Sequence, residues 1–167
     1  MPENVKSESH LVYLGLGSNI APETNLKHAL TLLGDTVQVI AVSKVWKTQA
    51  VGTEGPDFLN AAIAIRTKLP PDELKIRVLR EIERQLGRVR TEDKNAPRPI
   101  DIDILIFDSE LSDPQIWSQV HLAVPLAELI PNYIHRENGE TLAQVARRLL
   151  LSTPINIKPG VLTDSNF

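Results

Sequence analysis

No cysteine occurs among the 167 residues. That removes disulfide frameworks and thiolate metal sites, and leads to the expectation of a reducing, cytoplasmic setting. Aromatic residues are scarce, two Trp, two Tyr and three Phe, beside a net charge of −3. A sheet that stacks RNA bases needs exposed aromatics and a basic face, so a general nucleic-acid binder is excluded. No apolar run approaches the ~18 residues that span a bilayer. The opening stretch MPENVKSESH has no basic region followed by an apolar one, so a signal peptide is not expected. The motif G-x-x-x-x-G-K-[ST] is absent, which excludes a P-loop. The four histidines, His10, His28, His121 and His135, have no H-E-x-x-H spacing and no Ser-His-Asp arrangement.

What is present is an ordinary globular balance, 42% hydrophobic and 23% charged. One domain over residues 1–167 is expected, with 1–9 and about 153–167 peripheral. The charge is unevenly spread. Residues 75–98 carry eight Lys and Arg against four Asp and Glu, a local excess of +4 that leaves −7 elsewhere. A basic patch in an acidic chain suits a compact anion such as a phosphate chain.

Periodicity gives the elements. HLVYLGLG (10–17) reads as a buried strand. Residues 22–33 read as a helix with Leu26, Ala29, Leu30 and Leu33 inward, closed by Gly34. The alternating stretch 36–48 reads as one strand, 52–57 as a loop and 58–67 as another strand. After Pro70 and Pro71, Leu74, Val78, Ile82 and Leu86 recur every four residues in a helix ended by Gly87. A strand at 100–107 puts Ile100, Ile102, Ile104 and Ile106 on one face. Residues 125–131 and 141–150 read as helices, and the last 15 or so as coil or an edge strand. The order β-α-β-β-α-β with C-terminal additions predicts an α+β, ferredoxin-like fold, an antiparallel sheet with helices packed on it.

Within RPIDIDIL (98–105), Asp101 and Asp103 share a strand face, and two carboxylates so close must be compensated. One reading is an edge strand whose charges discourage sheet-to-sheet pairing. The other is a pair of hard oxygen ligands for Mg²⁺, with Arg88, Arg90, Lys94 and Arg98 just upstream to meet phosphates. GLGSN (15–19) lacks the third glycine of a dinucleotide loop, since position 20 is Ile, and reads as a turn from strand to helix. In TQAVGTEGPDFLN (48–60), either a plain connection is made, or Phe58 stacks on a flat ring while Asn60 bonds its edge.

Four ordered blocks, LGLGSN, T…VGTEGPDFLNAA, EIERQLGRVR and PRPIDIDILIF, resemble the 6-hydroxymethyl-7,8-dihydropterin pyrophosphokinases of folate biosynthesis, and PLAELIP resumes the likeness. The resemblance implies transfer of the pyrophosphoryl group of ATP to the pterin's hydroxymethyl oxygen, releasing AMP. It implies that Asp101 and Asp103 hold two Mg²⁺ ions, and that Phe58 stacks on the pterin while Asn60 bonds its edge. Thr48, Val51 and Gly52 would supply backbone contacts. Glu83, Arg88 and Arg98 would face ATP, Ile104 would lie near adenine, and Arg90 would belong to a mobile catalytic loop. His121 falls on a histidine that meets both substrates.

Two departures stand out. Asn95 and Ala96 replace a loop tryptophan and glycine. The segment after His121 that carries an arginine and a second aromatic is missing, unless His121 itself takes the ring's place. The partners implied are the two small-molecule substrates, with no nucleic acid or membrane. A chain working as a monomer is expected, with contact to other folate-pathway enzymes as a further option. Transfer to a different pterin or small alcohol, or an idle nucleotide-binding relative, are the alternatives.

Overall fold

A computed structural model describes residues 9–49, 56–92 and 97–162. Their centre is an antiparallel sheet in which β1 (His10–Ser18) pairs with β5 (Asp101–Phe107) on one side and β4 (Phe58–Thr67) on the other. Beyond β4 lie β2 (Gln38–Val42) and β3 (Trp46–Thr48), and the edges are β6 (Glu110–Leu111) and β7 (Asn156–Ile157). If β2 and β3 count as one interrupted strand, the central order is that of the expected ferredoxin-like core.

Helices cover both faces. On one, α1 (Pro22–Thr36) and a helical rod pack Leu26, Leu30, Leu74, Val78 and Ile82 against Leu14, Leu16, Ile63, Ile65 and Ile102. On the other, α4 (Val120–Leu129) and α5 (Leu142–Ser152) pack on Ala62, Leu105 and Ile106. α5 begins with a capping box, Thr141 accepting from the Gln144 backbone and Gln144 from that of Thr141. The C-terminal helices cover only part of that second face. The uncovered part is the site.

Several expected boundaries move, each for a physical reason. The stretch 36–48 is two strands. At the break, buried Ser43 accepts from Ala62 N and donates to Lys44 O, so a hydroxyl replaces a ladder bond. Gly34 does not close α1, which runs on to Thr36, whose hydroxyl takes up the Leu32 and Leu33 carbonyls. The rod after Pro70 is α2 (Pro71–Glu73), a π-helical stretch (Leu74–Leu79) and α3 (Arg80–Gln85) in sequence. A π turn bonds i to i+5 and so takes more residues than the 3.6 of an α turn. That explains how four-residue spacing keeps Leu74, Val78 and Ile82 on one face. GLGSN is not a turn: Gly15 and Gly17 lie inside β1.

In β5 the pairing register slips between Tyr13/Leu14, which face Ile106 and Ile104 in turn. The extra residue, Leu105, is a bulge, and it flips the alternation. Ile100, Ile102 and Ile104 face α1, whereas Leu105 and Ile106 face α4. Ile106 therefore does not share a face with the other three isoleucines. α4 starts at Val120 rather than near Pro125, which sits inside it. β7 is the expected edge strand; Lys158 N donates to Val45 O and Val161 is 2% exposed, so this part of the C-terminus is packed against the core.

Candidate active site

Directly opposed residues of antiparallel strands share a face. The register therefore lays out one continuous row across four strands: Asp101 on β5, Gly17 on β1, Asn60 on β4 and Trp46 on β3. The next row is Asp103, Gly15 and Ala62, and Phe58 stands opposite Thr48. Neighbouring strands lie ~4.8 Å apart, so the aspartates stand about 10 Å from Asn60. Between them β1 contributes only glycines. A Cβ on Gly17 would fall 2.9 Å from Asn60 Oδ1. The strip is a bare floor, and above it opens a cleft of about 1120 Å³. One wall holds Phe58, Thr48 and Asn60, and the opposite wall Arg98, Asp101 and Asp103. His121 and Leu122 from the start of α4 close a third side.

The basic residues are anchored by carboxylates. Glu83 on α3 is 2% exposed, and its Oε2 accepts from Arg88 (2.7 Å) and from Ile102 N (2.9 Å). Its Oε1 accepts from Arg90 at 2.7 Å. Arg88 also donates to Asp101 Oδ1 at 2.6 Å, and Arg98 to Asp101 Oδ2 at 3.2 Å. Burial opposes the charge of Arg88, but the Asp101 hydrogen bond and the charges of Asp101, Glu83 and Asp103 outweigh it, so its pKa rises. Arg98 is fixed through its backbone: its N–H donates to Asn19 Oδ1 (2.7 Å) and its carbonyl accepts from Asn19 N (3.2 Å).

Asp103 differs from Asp101. Among the described residues no cation pairs with it. Solvent reaches it, yet the cleft walls strip away part of its water. Burial, then the negative charges of Asp101, Glu83 and Asp113, push its pKa up to about 6, with Arg88 pulling the other way. Two carboxylates on one strand face, one of them short of positive charge, form a hard-oxygen donor pair that suits Mg²⁺. Burial also holds His121 below the usual histidine range, against the pull of Asp101 and Asp113. On the far wall, Asn60 Nδ2 donates to Thr48 Oγ1 at 2.8 Å, which leaves Asn60 Oδ1 aimed over Gly17.

Comparison with known proteins decides the family. The model for 7,8-dihydro-6-hydroxymethylpterin-pyrophosphokinase (HPPK) matches residues 13–131. The chain belongs to the HPPK family. It is 30% identical to the 2-amino-4-hydroxy-6-hydroxymethyldihydropteridine pyrophosphokinase of Synechocystis, over 96% of this chain and 87% of that one. The enzyme of the same name from Bacillus subtilis is 38% identical, over 72% and 78%. A folate synthesis bifunctional protein of Arabidopsis thaliana is 38% identical over 71% of this chain, which spans 27% of the plant protein. Among solved structures, the Plasmodium falciparum HPPK-DHPS with pteroate shares the fold at TM-score 0.70 and 13% identity, covering 86% of this chain and 43% of that one.

Within the HPPK fold, the residues singled out from sequence divide into three groups. Arg98, Asp101, Asp103, Thr48, Phe58, Asn60 and His121 meet in the cleft. Glu83 and Ile104 do not. The Glu83 oxygens accept from Arg88, Ile102 N and Arg90, so in this structure it anchors the two arginines. Ile104 alternates to the opposite face from the aspartates and packs against the α1 side. Arg88 sits between Glu83 and Asp101, and Arg90, half-exposed, on the outer oxygen of Glu83. Val51, Gly52, Lys94, Asn95 and Ala96 lie outside the described residues. Sequence reasoning missed Asn19, the glycine floor and Asp113. The period-two glycines in a strand were the available signal for the floor.

Proposed function

We propose that the chain transfers the pyrophosphoryl group of ATP to the hydroxymethyl oxygen of 6-hydroxymethyl-7,8-dihydropterin, releasing AMP. The observation that carries this is the single sheet face on which Asp101 and Asp103 stand across a glycine floor from Phe58, Asn60 and Thr48. One wall is built for anions and their counter-ions. The other is built for a flat ring with a hydrogen-bonding edge.

The wall of Phe58, Thr48 and Asn60 binds the pterin, Phe58 against its face and the Asn60 amide oxygen at its edge. That fixes the hydroxymethyl group over Gly15 and Gly17, where no side chain intrudes. Arg98, clasped by Asn19, meets phosphate oxygens, and Arg88 keeps Asp101 oriented. Asp101 and Asp103 would hold Mg²⁺, which supplies charge neutralisation on the phosphate chain and binds its oxygens in place. The acceptor oxygen bonds to the β-phosphorus as the bond from that phosphorus to the α,β-bridging oxygen breaks. AMP carries away that oxygen, and the hydroxyl proton passes to solvent. In such transfers charge spreads over phosphorus oxygens, so positioning and electrostatics do most of the work and no strong protein base is required.

A second acceptor is favoured by one observation. His121 already lies in the first turn of α4 and is followed there by Leu122, Ala123 and Val124, with no arginine or second ring to enclose the pterin. A differently substituted pterin is therefore a competing acceptor, to be tested by turnover of a small pterin series. The two-ion reading is tested with Asp101→Asn and Asp103→Asn: each should abolish AMP formation and weaken Mg²⁺-dependent nucleotide binding. Retained turnover in either variant removes those residues from metal binding.

Further expectations accompany this reading. The substrates are small molecules and the chain works as a monomer in the cytoplasm; a place in reach of other folate enzymes is supported by bifunctional relatives such as the folate synthesis bifunctional protein of Arabidopsis thaliana. Among the described residues no helix is long and apolar enough to cross a membrane.

A further inference from the structure

The PLAE stretch of α4 contains a residue the reaction does not use. Pro125 and Leu126 are buried, but Glu128 is exposed and still makes two convergent hydrogen bonds. Its Oε2 accepts from Trp46 Nε1 at 2.8 Å and its Oε1 from Lys44 N at 3.3 Å. Both donors belong to the segment where β2 breaks and β3 begins. This break is also stitched to β4 by the Ser43 bonds with Ala62.

The position of β3 matters because it carries Thr48, which accepts from Asn60. β3 has three residues, with three paired positions on β4 and two on the short outer strand β7. So short a ladder leaves its inclination toward α4 weakly specified. Trp46 stands directly opposite Asn60 and on the same face as Thr48. A carboxylate holding its indole N–H therefore acts next to the ring-edge contact, and from the helix that brings His121 into the cleft.

We infer that Glu128 is a positioning residue for the acceptor side of the cleft: by tying β3 to α4 through Trp46 it sets the spacing between the Thr48–Asn60 wall and His121. This rests on the reading of that wall as the pterin site. The ATP side is anchored separately, through Glu83 and Asn19. When the tie is lost it is the short, weakly paired β3 that shifts and not α4 with His121, so the effect of Glu128 is selective for the acceptor.

The test measures pterin affinity by fluorescence titration, with Mg²⁺ and a non-hydrolysable ATP analogue present, alongside nucleotide affinity and the two KM values. A lost hydrogen bond to a charged group corresponds to about a tenfold change. Glu128→Ala should raise the pterin Kd and KM by about that factor and leave the nucleotide values unchanged. Glu128→Gln, which keeps one acceptor oxygen, should fall between it and the wild type. Trp46→Phe should raise the pterin constants too, and the Trp46→Phe, Glu128→Ala double variant should be no worse than Glu128→Ala alone.

Unchanged pterin constants in Glu128→Ala overturn the inference, as do additive effects in the double variant. A fall in apparent kcat with both KM values unchanged marks loss of folded protein only and overturns it as well. Wild-type protein that binds no pterin would instead overturn the assignment of the wall, and the inference with it.

Discussion

Among the described residues Glu83 is the one fully buried carboxylate that serves two arginines, and those two pairs should differ sharply in energy. Toward the interior its Oε2 holds Arg88, whose side chain is 11% exposed, and the Ile102 N–H. Toward solvent its Oε1 holds Arg90, whose side chain is 50% exposed. Replacing Glu83 by Ala strands a buried N–H and removes one of the two carboxylates around Arg88. Breaking a buried pair costs ~3–5 kcal/mol. Arg88 keeps Asp101, which places the expected loss at the lower end, about 3 kcal/mol. Arg90→Ala removes only a solvent-screened pair, worth ~0–1 kcal/mol. With a urea m-value of ~2 kcal/mol/M, Glu83→Ala should lower the unfolding midpoint by about 1.5 M and Arg90→Ala by less than about 0.5 M. A loss below about 1 kcal/mol for Glu83→Ala, or the reverse order of the two variants, refutes the reasoning.

Other outcomes follow from the same geometry. Gly17→Ala puts a Cβ 2.9 Å from Asn60 Oδ1; Asn60 must shift, so pterin affinity should fall while nucleotide affinity holds, and calorimetric titration of each ligand checks this. Phe58→Ala should weaken pterin binding by ~1–3 kcal/mol, from lost stacking and burial; an unchanged affinity in fluorescence titration would place the pterin elsewhere. His121, held by burial below its ordinary value of 6.5, is neutral at pH 7. The unfolded chain takes up that proton first, so this residue's contribution to stability declines as pH falls below about 6.5. An imidazole midpoint above 6.5 by NMR titration contradicts the stated environment.

Sequence periodicity captured what depends on neighbours along the chain. The strand Phe58–Thr67 has the expected bounds because its apolar run is buried on both faces. The helix carrying Leu26, Ala29, Leu30 and Leu33 was legible from one inward stripe. What escaped depends on partners far away in sequence. The break at Ser43 is visible only once Ala62 lies opposite, and the Leu105 bulge only once β1 pairs with β5. That bulge also explains why four alternating isoleucines do not share a face. In the site, Asp101 and Asp103 announced themselves by spacing, Phe58 and Asn60 as an aromatic beside an amide, and Thr48 by family resemblance. The burial of Glu83 could not be read from spacing, because charge alone does not say which side of a helix meets the sheet, whereas the period of two already put Ile104 on the face away from the aspartates.

The central claim is that this cleft joins a triphosphate to a hydroxymethyl pterin. Phosphorus NMR of the protein with MgATP and 6-hydroxymethyl-7,8-dihydropterin tests it most directly. AMP and the pterin diphosphate should appear together, and only when both substrates are present. ADP in place of AMP, or no turnover by folded protein that binds both ligands, would contradict it.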